Sequence, residues 1–252
     1  MRRDPQAFGL PRTRWRLADL RDALAFLADY SLPGISQALH RRGIRLHRGR
    51  LRLHSPDPAY ADKLCRLARI RRLAQRFPAR VTLLYADEMS LYRQPTLAAV
   101  WAPRGGEPTA TLSHRANTCR RYAGALDAVS GRVTWQAASH LTVPQLCRFL
   151  ERVRAAYPDR VCFLAWDNWP VHRHPRVLAT AARLRIHLVW LPTYAPWTNP
   201  IEKLWRWLRQ TVVHHHRLAD AWEELQARVA AFLDQFAHGS AALLRYVGLL
   251  SD

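Results

Sequence analysis

Leu191-Pro-Thr-Tyr-Ala-Pro-Trp-Thr-Asn-Pro-Ile-Glu-Lys-Leu-Trp-Arg-Trp-Leu208 reads as a loop that runs into a helix. Pro192, Pro196 and Pro200 each lack an N–H and push the preceding residue away from helical geometry, so the first half is irregular. Asn199 suits the N-cap and Pro200 the first helical position, after which Ile201, Leu204, Trp205 and Leu208 share one face. Glu202 falls in the first turn, beside the loop. The plain account of Glu202 is a capping box folding back onto the Asn199 N–H. The alternative is a role shared with other carboxylates at the same end of the fold.

Just before this stretch, residues 186–191 are an apolar run suited to a buried strand, and 175–184 read as a helix. Val161-Cys-Phe-Leu-Ala-Trp166 is a second continuous apolar run, expected as a central strand that Asp167-Asn168 terminates. Residues 143–156 form an amphipathic helix, and Val81-Thr-Leu-Leu-Tyr-Ala-Asp-Glu-Met89 is strand-like. Between them, 122–129 and 132–138 flank Ser130-Gly131, a hairpin turn. A closing helix over 218–236 aligns Leu218, Trp222, Leu225, Val229, Phe232 and Phe236. Strand, hairpin, helix, strand, helix, strand, helix is the element order of an α/β, RNase H-like domain, a mixed sheet flanked by helices.

Three acids stand where such a sheet would place a site. Asp87 lies late in the first strand, Asp167 ends the central strand, and Glu202 opens the helix after the last strand. Polar groups at the carboxyl ends of strands line the ligand crevice of an α/β sheet. Three carboxylates brought together repel one another unless cations stand between them, and hard oxygen donors select Mg²⁺ or Mn²⁺. Two such ions activate a water or a 3′-hydroxyl and stabilise the leaving oxygen of a phosphoryl displacement. Glu88 adjoins Asp87, but successive strand residues point to opposite faces, so the metal is assigned to Asp87. Asn168 either orients a ligand or hydrogen-bonds a loop, and His172 either approaches phosphate or is an exposed loop histidine.

The charge points to a polyanion. Thirty-nine Lys and Arg stand against 19 Asp and Glu, a net +20, and only Lys63 and Lys203 are lysines. Arginine forks onto phosphate and stacks on bases, so nucleic acid is favoured over a membrane surface. Cys65, Cys119, Cys147 and Cys162 show no metal spacing and read as buried free thiols of a reducing, cytosolic or nucleoid-associated protein. No apolar run is long enough for a transmembrane helix, and the N-terminus lacks a signal-peptide core. His214, His215 and His216, if helical, point in three directions and do not converge on one ion.

Towards the N-terminus, 14–30 and 33–42 have helical spacing, and 44–54 alternate apolar and basic residues as a β-ribbon would. Two helices and a basic ribbon make a small partial winged helix-turn-helix, with Ser36, Gln37, His40, Arg41, Arg42, Arg45, Arg48 and Arg50 as candidate DNA contacts; a generic basic helical hairpin is the other account. Ser55-Pro-Asp-Pro58 then opens a basic helix that Pro78 ends. The expected organisation is a DNA-binding region over 1–55, a basic linker helix over 56–80 and a catalytic domain over 81–252.

Taken together, Tyr85-Ala-Asp-Glu88 with Pro95 and Trp101-Ala-Pro-Arg-Gly105, Gly124-Ala-Leu-Asp127, Asp167-Asn168 with His172, and Pro192-Thr-Tyr-Ala-Pro196 with Asn199-Pro-Ile-Glu202 and Trp205 resemble the DDE/D transposases of the mariner superfamily, in particular the bacterial insertion sequence 630 group. The spacing of Asp167 and Glu202 also resembles the family's. The resemblance covers residues 55 to about 236 and, more faintly, 14–54. It implies that Asp87, Asp167 and Glu202 bind two Mg²⁺ (or Mn²⁺) ions in an RNase H-like domain. It further implies nicking at transposon ends, attack of the freed 3′-hydroxyl on target DNA, and a homodimer on double-stranded DNA. Members usually carry two N-terminal helix-turn-helix units, and only one fits ahead of Asp57, so the expectation is a chain truncated relative to the family. Two other functions share these features: a catalytically silent DNA-binding regulator, and an RNase H-type nuclease on RNA–DNA hybrids.

Overall fold

A computed structural model describes residues 4–47 and 54–250. Contacts divide the chain into two units, Met1–Arg52 and Leu53–Asp252.

In the first unit, α1 (Leu17–Ala23) starts where the Asp19 carboxylate accepts from the Arg16 N–H at 3.0 Å, and α2 (Leu32–Arg41) where Ser31 Oγ accepts from the Gly34 N–H at 3.2 Å. Leu20 and Ile35 are buried between them. The single helix expected over 14–30 is divided. Leu24 leaves helical geometry and a 3-10 turn follows over Ala25–Leu27, which brings Leu24 and Leu27 to the apolar hollow that Ile35 and Leu39 also line. Of the expected ribbon, residues 44–47 form no strand and Leu46 stands 99% exposed, while 48–53 lie outside the described residues. Arg48 and Arg50 lie outside the described residues.

The second unit is built on a five-stranded sheet: β1 (Val81–Tyr92), β2 (Cys119–Asp127), β3 (Val133–Ala138), β4 (Val161–Trp166) and β5 (Ile186–Trp190). Their order is β3-β2-β1-β4-β5, with the β2 and β3 pairings antiparallel and the β4 and β5 pairings parallel. The hairpin turns at Gly131, whose φ of 71° only glycine adopts freely. The buried Asp127 fixes that turn, accepting from the Val129 and Ser130 N–H groups at 2.8 and 2.9 Å and from Thr82 Oγ1 at 2.7 Å.

Strand alternation divides the core between the two faces of the sheet. Leu83, Tyr85 and Met89 of β1 face α3 (Tyr60–Arg76), α6 (Ile201–Leu208), α7 (Trp222–Asp234) and α8 (Ala241–Val247). Leu84 and Ala86 face α4 (Val143–Ala156) and α5 (Pro175–Arg183). Helix α3 buries Leu67, Ile70 and Ala74 in the first of these cores and leaves Arg66, Arg69, Arg72 and Arg76 exposed. The closing helix starts later than expected, at Trp222, because Asp220 accepts from Ser113 Oγ at 2.5 Å and the Leu218 N–H donates to His216 Nδ1 at 3.1 Å. Helix α8 has no counterpart in the sequence reading. Nor are the three histidines helical: a π turn over Arg209–Val213 ends before them. His214 Nδ1 lies 2.8 Å from Thr96 Oγ1, and His215 Nε2 lies 2.9 Å from the Ala98 N–H. The four cysteines are free, but Cys65 is exposed and Cys119 half-buried; only Cys147 and Cys162 are buried as expected.

Candidate active site

Parallel pairing of β4 with the first half of β1, Val81–Tyr85, brings the end of β4 level with the middle of β1, where Asp87 stands two residues beyond the last pair, and Glu202 opens α6. Asp87, Asp167 and Glu202 consequently line one cavity of about 380 Å³, walled by Trp169 and Pro170 on one side and the 191–196 loop on the other.

Each carboxylate has a different setting. Burial pushes the Asp87 carboxyl well above its ordinary range, and the charges of Glu88, Glu202 and Asp167 add to the effect. Its Oδ2 accepts from Trp205 Nε1 at 3.0 Å. Burial also acts to raise Asp167, but His172 and the Trp169 N–H outweigh it and hold the group low. His172 Nδ1 lies 2.7 Å from Asp167 Oδ1, and the Trp169 N–H donates to the same oxygen at 3.1 Å. Burial raises Glu202, while Arg209 and Arg206 act against the shift.

The remaining sequence candidates fall in place around this centre. Glu88 points to the opposite face from Asp87, with Oε1 3.0 Å from Trp166 Nε1 and 3.1 Å from His172 Nε2. His172 is not an exposed loop histidine: it is 0% exposed and stacked on Trp166, with ring centroids 3.8 Å apart. Burial alone would lower its pKa, but the two carboxylates raise it to about 9. Asn168 braces loops, donating to the Leu191 carbonyl at 2.7 Å and accepting from Arg173 at 2.5 Å.

Asn199 and Pro200 correct the capping expectation. Pro200 is itself the N-cap, no side chain caps the helix, and the Asn199 N–H donates to the Pro196 carbonyl at 2.9 Å rather than to Glu202. A 3-10 turn over Pro196–Thr198 claims that N–H first and frees Glu202 for the cavity. Asn199 Nδ2 instead donates to the Ala86 carbonyl at 3.0 Å, next to Asp87. Sequence reasoning missed Trp205 as the partner of Asp87. Its position one turn beyond Glu202, on the sheet-facing side, was the available signal.

The donor set fits a hard divalent cation. Three carboxylates share the cavity, and Asn199 Oδ1, a further hard oxygen on the wall, is buried without a hydrogen-bond partner among the described residues. The expected convergence is partial: among the described residues, no three His, Cys, Asp or Glu side chains are gathered closely enough to hold a metal ion. Trp205 and His172 each restrain one aspartate, and like charges keep the carboxylates apart.

The profile of the family described as DDE superfamily endonuclease matches residues 82–226, a span that contains all three carboxylates. The chain belongs to the DDE superfamily endonucleases. A relative from Shigella sonnei, the insertion element IS630 uncharacterized 39 kDa protein, is 24% identical over 238 residues, which is 93% of this chain and 68% of the relative. Among solved structures, the Mos1 transposase paired-end complex with left transposon end matches with a TM-score of 0.62 at 15% identity, over 95% of this chain and 76% of that one. The Mos1 strand transfer complex gives 0.63 at 20%, with the same coverage. The Mos1 mariner paired-end complex with Mn gives 0.61 at 19%, over 95% and 77%. At these identities the likeness is one of fold, the RNase H-like mixed sheet flanked by helices. No helix of the described residues is long and apolar enough to cross a membrane.

Proposed function

We propose that this DDE endonuclease is a transposase of the IS630/mariner type, which cleaves double-stranded DNA at transposon ends and joins the freed 3′-hydroxyl to target DNA. The observation that carries the reading is the single cavity shared by Asp87 in the middle of β1, Asp167 just after β4 and Glu202 in the first turn of α6. The IS630 relative and the Mos1 complexes support it from outside the chain.

In this reading the three carboxylates hold Mg²⁺ or Mn²⁺, two ions in all. When bound, the ions supply activation of the attacking oxygen and charge stabilisation at the leaving oxygen. The protein's own part is placement. Trp205 fixes Asp87 by one oxygen, and His172 and the Trp169 N–H fix Asp167 by one oxygen. Arg206 and Arg209, whose charges reach Glu202, make the approach favourable to phosphate. The net charge of +20 draws the duplex to the chain.

The domain assignment belongs to the same proposal. Residues 1–55 read DNA, with Ser36, Gln37, His40 and Arg41 on α2 and Arg42, Arg45, Arg48 and Arg50 beyond it. Residues 56–80 link this region to the catalytic domain over 81–252. Two transposon ends require two active sites, so the working form is a homodimer on DNA, in the cytoplasm at the nucleoid.

The test uses the purified chain with a labelled duplex carrying the terminal repeat that flanks its gene, with and without Mg²⁺, beside Asp167→Asn. Mg²⁺-dependent nicking that disappears in Asp167→Asn is expected. Binding by both proteins without cleavage would assign a DNA-binding regulator instead. Preferential cutting of an RNA–DNA hybrid would assign an RNase H-type nuclease.

A further inference from the structure

The face of β1 turned away from the cavity carries a pair, half-buried Glu88 against fully buried His172, that the cleavage chemistry does not use directly. Glu88 Oε1 accepts from Trp166 Nε1 at 3.0 Å and lies 3.1 Å from His172 Nε2. The His172 ring is clamped, stacked at 21° on Trp166 and met edge-on by Trp169 at 87°. Its second nitrogen, Nδ1, lies 2.7 Å from Asp167 Oδ1. Carboxylates offer only lone pairs, so a carboxylate at each ring nitrogen makes the imidazole a donor on both sides. The chain therefore runs from the rear of β1 through one fully buried ring to an acid of the cavity.

The attachment to Asp167 is one-sided. Both polar partners of its side chain among the described residues, His172 Nδ1 and the Trp169 N–H, fall on Oδ1. A carboxylate held by one oxygen in a fixed plane presents the other in a fixed direction. We propose that Glu88 and His172 are positioning residues that hold Asp167 by Oδ1 and so present Oδ2 to a divalent cation in the cavity. The proposal rests on reading the cavity as a metal-dependent nuclease site. It also gives adjacent residues of one strand complementary tasks: Asp87 faces the cation, and Glu88 orients a second acid through His172. Outer partners of this kind typically change metal affinity by about 10 to 100-fold when removed.

Mn²⁺ binding by isothermal titration calorimetry, without DNA, tests the proposal on the intact chain. The variants are Glu88→Gln, His172→Leu and His172→Asn, with Asp87→Asn and Asp167→Asn as controls and thermal melting without metal as the check on folding. Glu88→Gln keeps an acceptor for Trp166 and removes the charge behind His172. His172→Asn keeps a donor near the position of Nδ1, whereas His172→Leu keeps none. The expected result is Mn²⁺ affinity lowered by roughly tenfold or more in Glu88→Gln and His172→Leu, with His172→Asn recovering part of the loss. A structural role alone would lower melting without separating Asn from Leu in metal affinity. Folded Glu88→Gln and His172→Asn that bind Mn²⁺ within about twofold of wild type overturn the positioning role, and they decide the matter if His172→Leu does not fold. Wild-type chain whose Mn²⁺ binding is absent, or indifferent to Asp87→Asn and Asp167→Asn, overturns the metal-site reading itself.

Discussion

The indole N–H of Trp205 donates to Asp87 Oδ2 at 3.0 Å, so the helix that presents Glu202 also restrains the acid of the neighbouring strand. Trp205 is 1% exposed, so its ring closes Asp87 off on the side away from the cavity. Trp205→Phe keeps an apolar ring and deletes the donor. A buried oxygen left unsatisfied costs about 1–3 kcal/mol, and the half-buried Asp87 beside the cavity should lose at most about the lower end of that range. The expected variant unfolds at lower urea and cleaves end duplex more slowly than wild type at limiting Mg²⁺. Urea titration and single-turnover cleavage measure the two effects separately.

Asp57 pins the site loop from outside the cavity. Its Oδ2 accepts from Lys63 Nζ at 2.6 Å and from the Thr193 N–H at 2.9 Å, and Oδ1 accepts from the Ala59 N–H at 3.0 Å. The Lys63 hydrogen bond foremost, then the Thr193 N–H, lower the carboxyl from its ordinary 3.8 to about 2. A folded value below the unfolded one contributes stability that is fully present above the unfolded pKa and is lost as pH falls through the folded one. Wild type should therefore lose this contribution between about pH 4 and pH 2, and Asp57→Asn, which lacks it, should converge on wild type over the same interval. Urea unfolding of both proteins at stepped pH shows whether the difference closes.

The sheet and its acids were legible because their signals are local. The continuous apolar run at 161–166 marks a central parallel strand, and the acid that follows it reaches the crevice whatever the loops do, while 186–190 forms the parallel edge strand with His187 exposed. The Asp87 and Glu88 division followed from strand alternation alone. Part of what was not legible depended on contacts far apart in sequence. Burial of His172 comes from stacking on Trp166 and from Glu88 on another strand. The lost capping box is a local matter that propensity does not show: the 3-10 turn over Pro196–Thr198 brings the Pro196 carbonyl onto the Asn199 N–H before Glu202 can reach it. Helix α8 is only seven residues long, too short for periodicity to stand out.

His215 fastens the segment between β1 and β2 to the chain beyond α6. Its Nε2 meets the Ala98 N–H at 2.9 Å, and the neighbouring His214 meets Thr96 Oγ1 at 2.8 Å. His215 holds a φ of 51°, a left-handed conformation that non-glycine residues adopt at some expense, and the contact compensates for it. His215→Ala keeps the strain and removes the contact. Hydrogen exchange should quicken at the Ala98 amide while the β1 and β4 amides stay protected. Unchanged protection at Ala98 would mean that other contacts hold the segment.

Gly124 stands directly opposite Asp87 in the β1–β2 ladder, and there it is space rather than backbone freedom that matters. A Cβ at this position would lie 2.6 Å from Cη2 and 2.9 Å from Cζ2 of Trp205, and 3.3 Å from Ile201 Cδ1. The indole has little room to yield, being buried and tied to Asp87 through Nε1. Gly124→Ala must therefore shift α6 or break that hydrogen bond, a cost of about 1–3 kcal/mol. The two nearest atoms belong to the six-membered ring of the indole, and the shorter side chain of Trp205→Phe withdraws from them. The alanine should accordingly be tolerated better in the Trp205→Phe background than in wild type. In a double-mutant cycle by urea unfolding, the double variant should lose less stability than the two single losses added together. Strict additivity would show that alanine is accommodated without pressing on Trp205, and the packing of α6 over Gly124 would then not be what places Asp87.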